Sequence, residues 1–140
     1  MPKMINPIVK SKTLEELEQD FWGEPEYDSY LVTTCHALRK KPLNQFDTED
    51  LRIMIGQNIS LVHLIPIALE QLTEDILAEG DFYPGDLLKA ILSSEATFWL
   101  NHPNHSQALQ HLIHTQHEVL LQEDRTLVDA CREWERIFEK

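Results

Sequence analysis

Apolar residues return at helical spacing along most of the chain, and the densest set lies in residues 46–92. Its centre, residues 59–72, is the longest apolar block, interrupted by one histidine, His63, and one proline, Pro66. Phe46 and Leu51 bracket Asp47 as a hydrophobic staple brackets an N-cap. This predicts a helix over 48–57 with Leu51, Met54 and Ile55 on its inner stripe. A further helix is expected over 61–77. Pro66 either kinks it or divides a short turn from a helix that begins at the proline, because an interior proline removes a backbone hydrogen bond. Tyr83-Pro84-Gly85-Asp86 reads as a turn that launches a helix with Leu87, Leu88, Ile91 and Leu92 on one face.

Helices are expected on both sides of this centre. Residues 1–12 form a loose lead-in, where Pro2 and Pro7 discourage a helix. Thr13-Leu14-Glu15-Glu16 matches a capping box and opens a short helix whose inner face carries Leu14, Leu17 and Phe21. Asp28 or Ser29 caps a helix over 30–41, with Leu31, Cys35 and Leu38 inward, cations Arg39, Lys40 and Lys41 at its end, and Pro42 beyond it. Later, Ser94 with Thr97 is the expected cap of a short helix through Trp99, and Asn101-His102-Pro103-Asn104 is a break. Asn104 or Ser106 then starts a helix to about Leu121, and a last helix covers 124–139 with Leu127, Val128, Cys131, Trp134 and Phe138 periodic. No stretch reads as a strand. The expected fold is all-α: a compact single-domain bundle of six to eight helices over 13–140, preceded by the lead-in.

Composition narrows the function. The 140 residues suffice for one core, and 42% hydrophobic with 26% charged residues is an ordinary folded composition. No apolar run reaches the roughly 18 residues of a membrane span, and the first residues lack the apolar core of a signal peptide, so a cytoplasmic location is expected. The net charge of −12 disfavours direct binding to nucleic acid or to an anionic membrane. It leaves two readings: solubility, or a basic partner. The acids are not evenly spread. Seven lie between Glu15 and Asp28 and six between Glu70 and Asp86, with no basic residue in either run. Acidic runs are usually solvated faces, but these contain aromatics, which is the composition of interface anchors. The candidate partner-binding residues are therefore Asp20, Trp22, Glu24, Glu26 and Asp28 in the first run, and Glu79, Asp81, Tyr83 and Asp86 in the second. Pairs of Arg39 with Asp50 and Arg52 with Asp86 are candidate structural salt bridges.

Signatures of catalysis are not found, and no catalytic residue is assigned. Cys35 and His36 are adjacent, so on a helix they point about 100° apart and cannot act as a pair. No nucleophile elbow or phosphate-binding loop occurs. Five of the seven histidines lie between His102 and His117, with His111, His114 and His117 spaced by three. That spacing drifts round the helix, and the carboxylate partners of a helical metal site are missing, so no metal or cofactor is expected. A histidine-based metal-binding helical protein or enzyme is the alternative reading, and an adaptor for some other basic partner is a third. Cys35 and Cys131 have no metal spacing and are expected as buried thiols rather than a disulfide.

A resemblance adds to this. The order Thr13-Leu14-Glu15-Glu16-Leu17-Glu18, Trp22, Ser29-Tyr30-Leu31-Val32, Ala37-Leu38-Arg39-Lys40-Lys41-Pro42-Leu43, Glu49-Asp50-Leu51-Arg52 with Gly56-Gln57, Leu64-Ile65-Pro66 with Ala68-Leu69, and Tyr83-Pro84-Gly85-Asp86-Leu87-Leu88 resembles immunity proteins of bacterial contact-dependent growth inhibition (CDI) systems. It covers residues 13–100. The resemblance implies a cytoplasmic protein without a reaction of its own, monomeric until it binds and neutralises the C-terminal toxin domain of a sibling cell's effector. Similar immunity proteins are paired with nuclease toxins, including ones that cut transfer RNA. A nuclease binds phosphate through a basic face, which an acidic inhibitor would occlude.

Overall fold

A computed structural model describes residues 6–26 and 29–139. Among them are ten α-helices, two 3₁₀ turns and no strand, so the all-α expectation holds with more, shorter helices than foreseen. The lead-in is itself partly helical. In α1 (Pro7–Lys10), Asn6 Oδ1 accepts from the Ile8 N–H at 2.8 Å, and Pro7 stands at the first helical position, where a missing N–H costs nothing. The segment is also fastened: Lys10 Nζ meets Glu70 Oε1 at 2.7 Å, and the Lys12 carbonyl accepts from Leu43 N at 3.0 Å.

The capping box opens α2 (Leu14–Glu18) as read, with Thr13 and Glu16 exchanging bonds of 3.0 and 3.1 Å. Leu14 is fully buried and Leu17 packs on the core, but Phe21 is 63% exposed. The reason is Gln19, whose left-handed φ of 52° ends the helix and turns the chain off its periodicity. Ser29 caps α3 (Tyr30–Leu38); Cys35 and Leu38 are buried while Leu31 stays largely exposed, because α3 packs mainly through its C-terminal half. After the 3₁₀ turn Leu43–Gln45, Asp47 caps α4 (Thr48–Gly56) with a second capping box to Asp50, and Phe46 and Leu51 are both buried, as a staple requires.

Helix α5 (Leu61–Glu74) is one continuous helix that contains Pro66. The proline strips the Val62 carbonyl of its helical donor, and Val62, in the first turn of the helix, is 58% exposed. Leu64, Ile65 and Leu69 are fully buried. Helix α6 (Asp86–Leu92) follows at the predicted residues. Gly85, φ 92°, is required here: a Cβ would stand 2.6 Å from Leu127 Cδ1. In α7 (Ala96–Asn101) Ser94 is not a cap. It is buried, donating to the Ile91 carbonyl and accepting from Trp99 Nε1 at 2.9 Å. Pro103 begins α8 (Pro103–Thr115) rather than preceding it, and Gln116 divides this helix from α9 (His117–Glu123). Asp124 caps α10 (Arg125–Glu135), which buries Leu127, Val128, Cys131 and Trp134 before the 3₁₀ turn Arg136–Phe138. Helices α4, α5 and α6 pack on one another at the centre; α8 lies against α5, and α10 against α6 and α9.

Candidate functional site

The first acidic run is held to the end of α3 by a buried cation. Arg39 is 1% exposed; its Nη1 donates to Glu18 Oε1 at 2.5 Å and to Ser60 Oγ at 3.2 Å, and its Nη2 to the Asp20 carbonyl at 2.7 Å. The same guanidinium lies 4.5 Å over the Trp22 ring. Glu15 Oε2 accepts from the Trp22 N–H at 3.2 Å and from Lys40 Nζ at 3.1 Å. Burial works against its charge, but these bonds prevail and hold its carboxyl below the usual carboxylate range. The rings of His36 and Trp22 meet in a T-shaped contact with centroids 5.0 Å apart, and His36 Nδ1 lies 3.2 Å from the Gly23 carbonyl. A shallow cleft of about 230 Å³ lies beside this loop, lined by Gly23, Glu24, Pro25, His36 and Lys40 among others.

The second run is fastened to α4 in the same manner. Arg52 grips Glu49 through two bonds of 2.6 Å, and its guanidinium lies 4.5 Å over Phe82. These bonds, first among its causes, hold the Glu49 carboxyl below its ordinary range. Glu49 Oε1 also accepts from the Asp81 N–H at 2.9 Å. Asp86 closes the loop: Oδ1 accepts from Gly80 N at 2.6 Å, and Oδ2 from Phe82 N at 3.0 Å and Tyr83 N at 3.4 Å. Here one expectation is corrected. Asp86 is 3% exposed and saturated by these donors and by Arg52 at 4.0 Å, so it organises the loop and offers no surface to a partner. The pair of Arg52 with Asp86 is thus formed; that of Arg39 with Asp50 is not, because Arg39 turns inward and Lys41 takes Asp50 at 2.7 Å.

Of the other sequence-selected residues, Asp20, Glu24, Glu26, Glu79, Asp81 and Tyr83 are exposed, and Trp22 is 36% exposed. Asp28, like Tyr27, lies outside the described residues. Glu24, Glu26, Glu79 and Asp81 have no ion-pair partner among the described residues, whereas Lys10, Arg39, Lys40, Lys41 and Arg52 are each paired with a carboxylate. These five cations are engaged by carboxylates, while the four acids at the loop tips are not ion-paired among the described residues. No hydrogen bond or ion pair among the described residues joins the two runs. The residues missed from sequence are the fasteners, Glu15, Arg39 and Glu49, and the most exposed tip aromatic of the second loop, Phe82 at 69%.

The late histidines do not converge. His102 stacks on Phe98 at 4.2 Å and faces His105 at 5.9 Å, while His114 Nε2 lies 3.2 Å from Glu135 Oε1. No group of three or more His, Cys, Asp or Glu among the described residues is placed to hold a metal ion. Cys35 and Cys131 are free and buried; burial, with Glu135 adding to it, pushes the Cys131 thiol up to about 12, so it is not a thiolate nucleophile at neutral pH. His105 is held below the ordinary imidazole range by burial and then by His102. Its folded pKa is thus below its unfolded one, and a proton favours the unfolded chain. The stability from neutral His105 is full above the unfolded value of about 6.5 and is lost as pH falls from there through the folded pKa. The urea midpoint should fall across that window, and His105→Gln should flatten the fall; an unchanged pH profile in the variant would contradict this.

A family model described as CDI immunity proteins matches residues 16–109. The chain belongs to this family. No curated protein and no solved structure matches it. The matched span of the immunity protein runs from α2 into α8 and takes in both acidic loops and all their fasteners, Glu15 alone lying one residue outside it. Among the described residues no helix is long and apolar enough to cross a membrane.

Proposed function

We propose that this CDI immunity protein acts in the cytoplasm by binding the C-terminal toxin domain of its cognate effector, and that the toxin is a nuclease, of the kind that cuts transfer RNA. The inhibitor covers the toxin's basic substrate face and performs no reaction itself. One observation carries this reading: the exposed acids Asp20, Glu24, Glu26, Glu79 and Asp81 surround exposed aromatics on two loops, while Arg39, Lys40 and Arg52 are engaged by other carboxylates. A nuclease must present lysine and arginine to phosphate, so its substrate face is the natural complement of such loops. The protein is monomeric until it meets the toxin, and opposite charge speeds that encounter.

The test is binding kinetics with the toxin domain encoded beside this gene, at two ionic strengths, next to a cell-protection assay. Glu24→Lys with Glu26→Lys should slow association by about tenfold and weaken its dependence on salt, since rim charges act mainly on the on-rate. Tight binding that ignores both salt and these reversals would remove the electrostatic mechanism. Failure of the wild type to bind would remove the toxin reading.

A further inference from the structure

Phe82 is 69% exposed, yet the backbone that carries it is fixed at every step. The N–H groups of Gly80, Phe82 and Tyr83 donate to Asp86, and that of Asp81 donates to Glu49. One face of the ring lies 4.5 Å from the guanidinium of Arg52, which is itself gripped twice by Glu49. An exposed phenylalanine does nothing for the core, and a loop tied by four backbone bonds has little entropy left to lose on binding. Tyr83 stands beside it, 41% exposed, and the exposed acids Glu79 and Asp81 flank the pair with no ion-pair partner among the described residues. An apolar anchor in a charged rim is the arrangement that concentrates binding energy in protein interfaces. The first loop is less suited, because the Trp22 ring is already covered by Arg39 and met by His36.

We propose that Phe82 is the apolar anchor of the toxin interface and that Arg52 is its positioning residue. The partner surface is a toxin socket with an apolar floor and a rim of lysine or arginine, the rim meeting Glu79 and Asp81. This rests on the toxin-binding reading above. The experiment measures dissociation of the full-length protein from the immobilised cognate toxin domain for wild type, Phe82→Ala, Arg52→Lys and the double variant, with a urea melt of each. Phe82→Ala should raise the dissociation rate by about tenfold or more, leave association within about twofold, and leave the urea midpoint near wild type, as expected for an exposed hot-spot residue. Arg52→Lys keeps the charge but loses the fork and the flat stack. It should speed dissociation several-fold in the wild-type background and much less in Phe82→Ala. If wild type binds and Phe82→Ala dissociates within about twofold of it, the anchor lies elsewhere. An equal effect of Arg52→Lys in both backgrounds would remove its positioning role. A wild type that does not bind the toxin sinks the toxin reading and the anchor with it, which sets that failure apart from the other two.

Discussion

Leu69→Ala is expected to lower the free energy of unfolding by about 3–5 kcal/mol, the upper part of the range for truncating a buried leucine. Leu69 is 0% exposed on α5, the helix that touches α4, α6 and α8 at once. A fully buried position on a helix packed by three others leaves the surroundings little freedom to close on the space left behind. The lost methyl and methylene contacts and the residual cavity then add. Urea unfolding followed by circular dichroism measures it. A change below about 0.5 kcal/mol would mean that α5 does not present this face to the core.

Asp86→Ala should cost about 3 kcal/mol for a different reason. Nothing large is removed, but the Gly80, Phe82 and Tyr83 N–H groups lose their acceptor together, and Arg52 loses one of its two carboxylates. Bonds to an ionised acceptor are stronger than neutral ones, and the donors left behind sit partly out of water. Asp86→Asn keeps one carbonyl oxygen and should fall between wild type and alanine. Urea unfolding gives the energies. Hydrogen exchange gives the location: the amides of Gly80, Phe82 and Tyr83 should lose protection while those of α5 keep it. A loss below about 1 kcal/mol with unchanged exchange would show that the loop is held by packing and not by this carboxylate.

Much of this architecture was legible in the chain because it is written locally. The box at Thr13 with Glu16 needs only a spacing of three, the cap at Asp47 only the staple around it, and α6 is announced by the turn before it. The inner stripe of α10 repeats without interruption. The misreadings come from places where a distant group or a change of backbone direction decides. Phe21 fits the period of α2, but the left-handed residue Gln19 ends that period two residues earlier. Ser94 has the right chemistry for a cap and is instead claimed by Trp99. Pro7 and Pro103 are helix breakers in an interior and helix starters at the first position, and sequence alone does not say which position they hold.

The candidate site was half legible for the same reason. Acids at Glu24, Glu26, Glu79 and Asp81 read as exposed and are exposed. Asp86 looks identical in the sequence, and only the fold of the following turn aims three donors at it. Arg39 is less readable still. Its burial depends on Glu18, Asp20 and Ser60, each about twenty positions away, so a cation at a helix end looked like a dipole partner when it is an internal clamp.

In both acidic loops the residues that hold the loop are not the residues that meet the solvent. Arg39, Glu15, Arg52, Glu49 and Asp86 sit below; Asp20, Glu24, Glu79, Asp81, Phe82 and Tyr83 sit above. Exchanges among exposed residues usually leave stability within about 0.5 kcal/mol, whereas exchanges among buried, bonded ones do not. On the proposed toxin-binding reading, a lineage confronted with an altered toxin could rewrite the acids of the upper set one residue at a time, while Phe82 stays coupled to Arg52 beneath it.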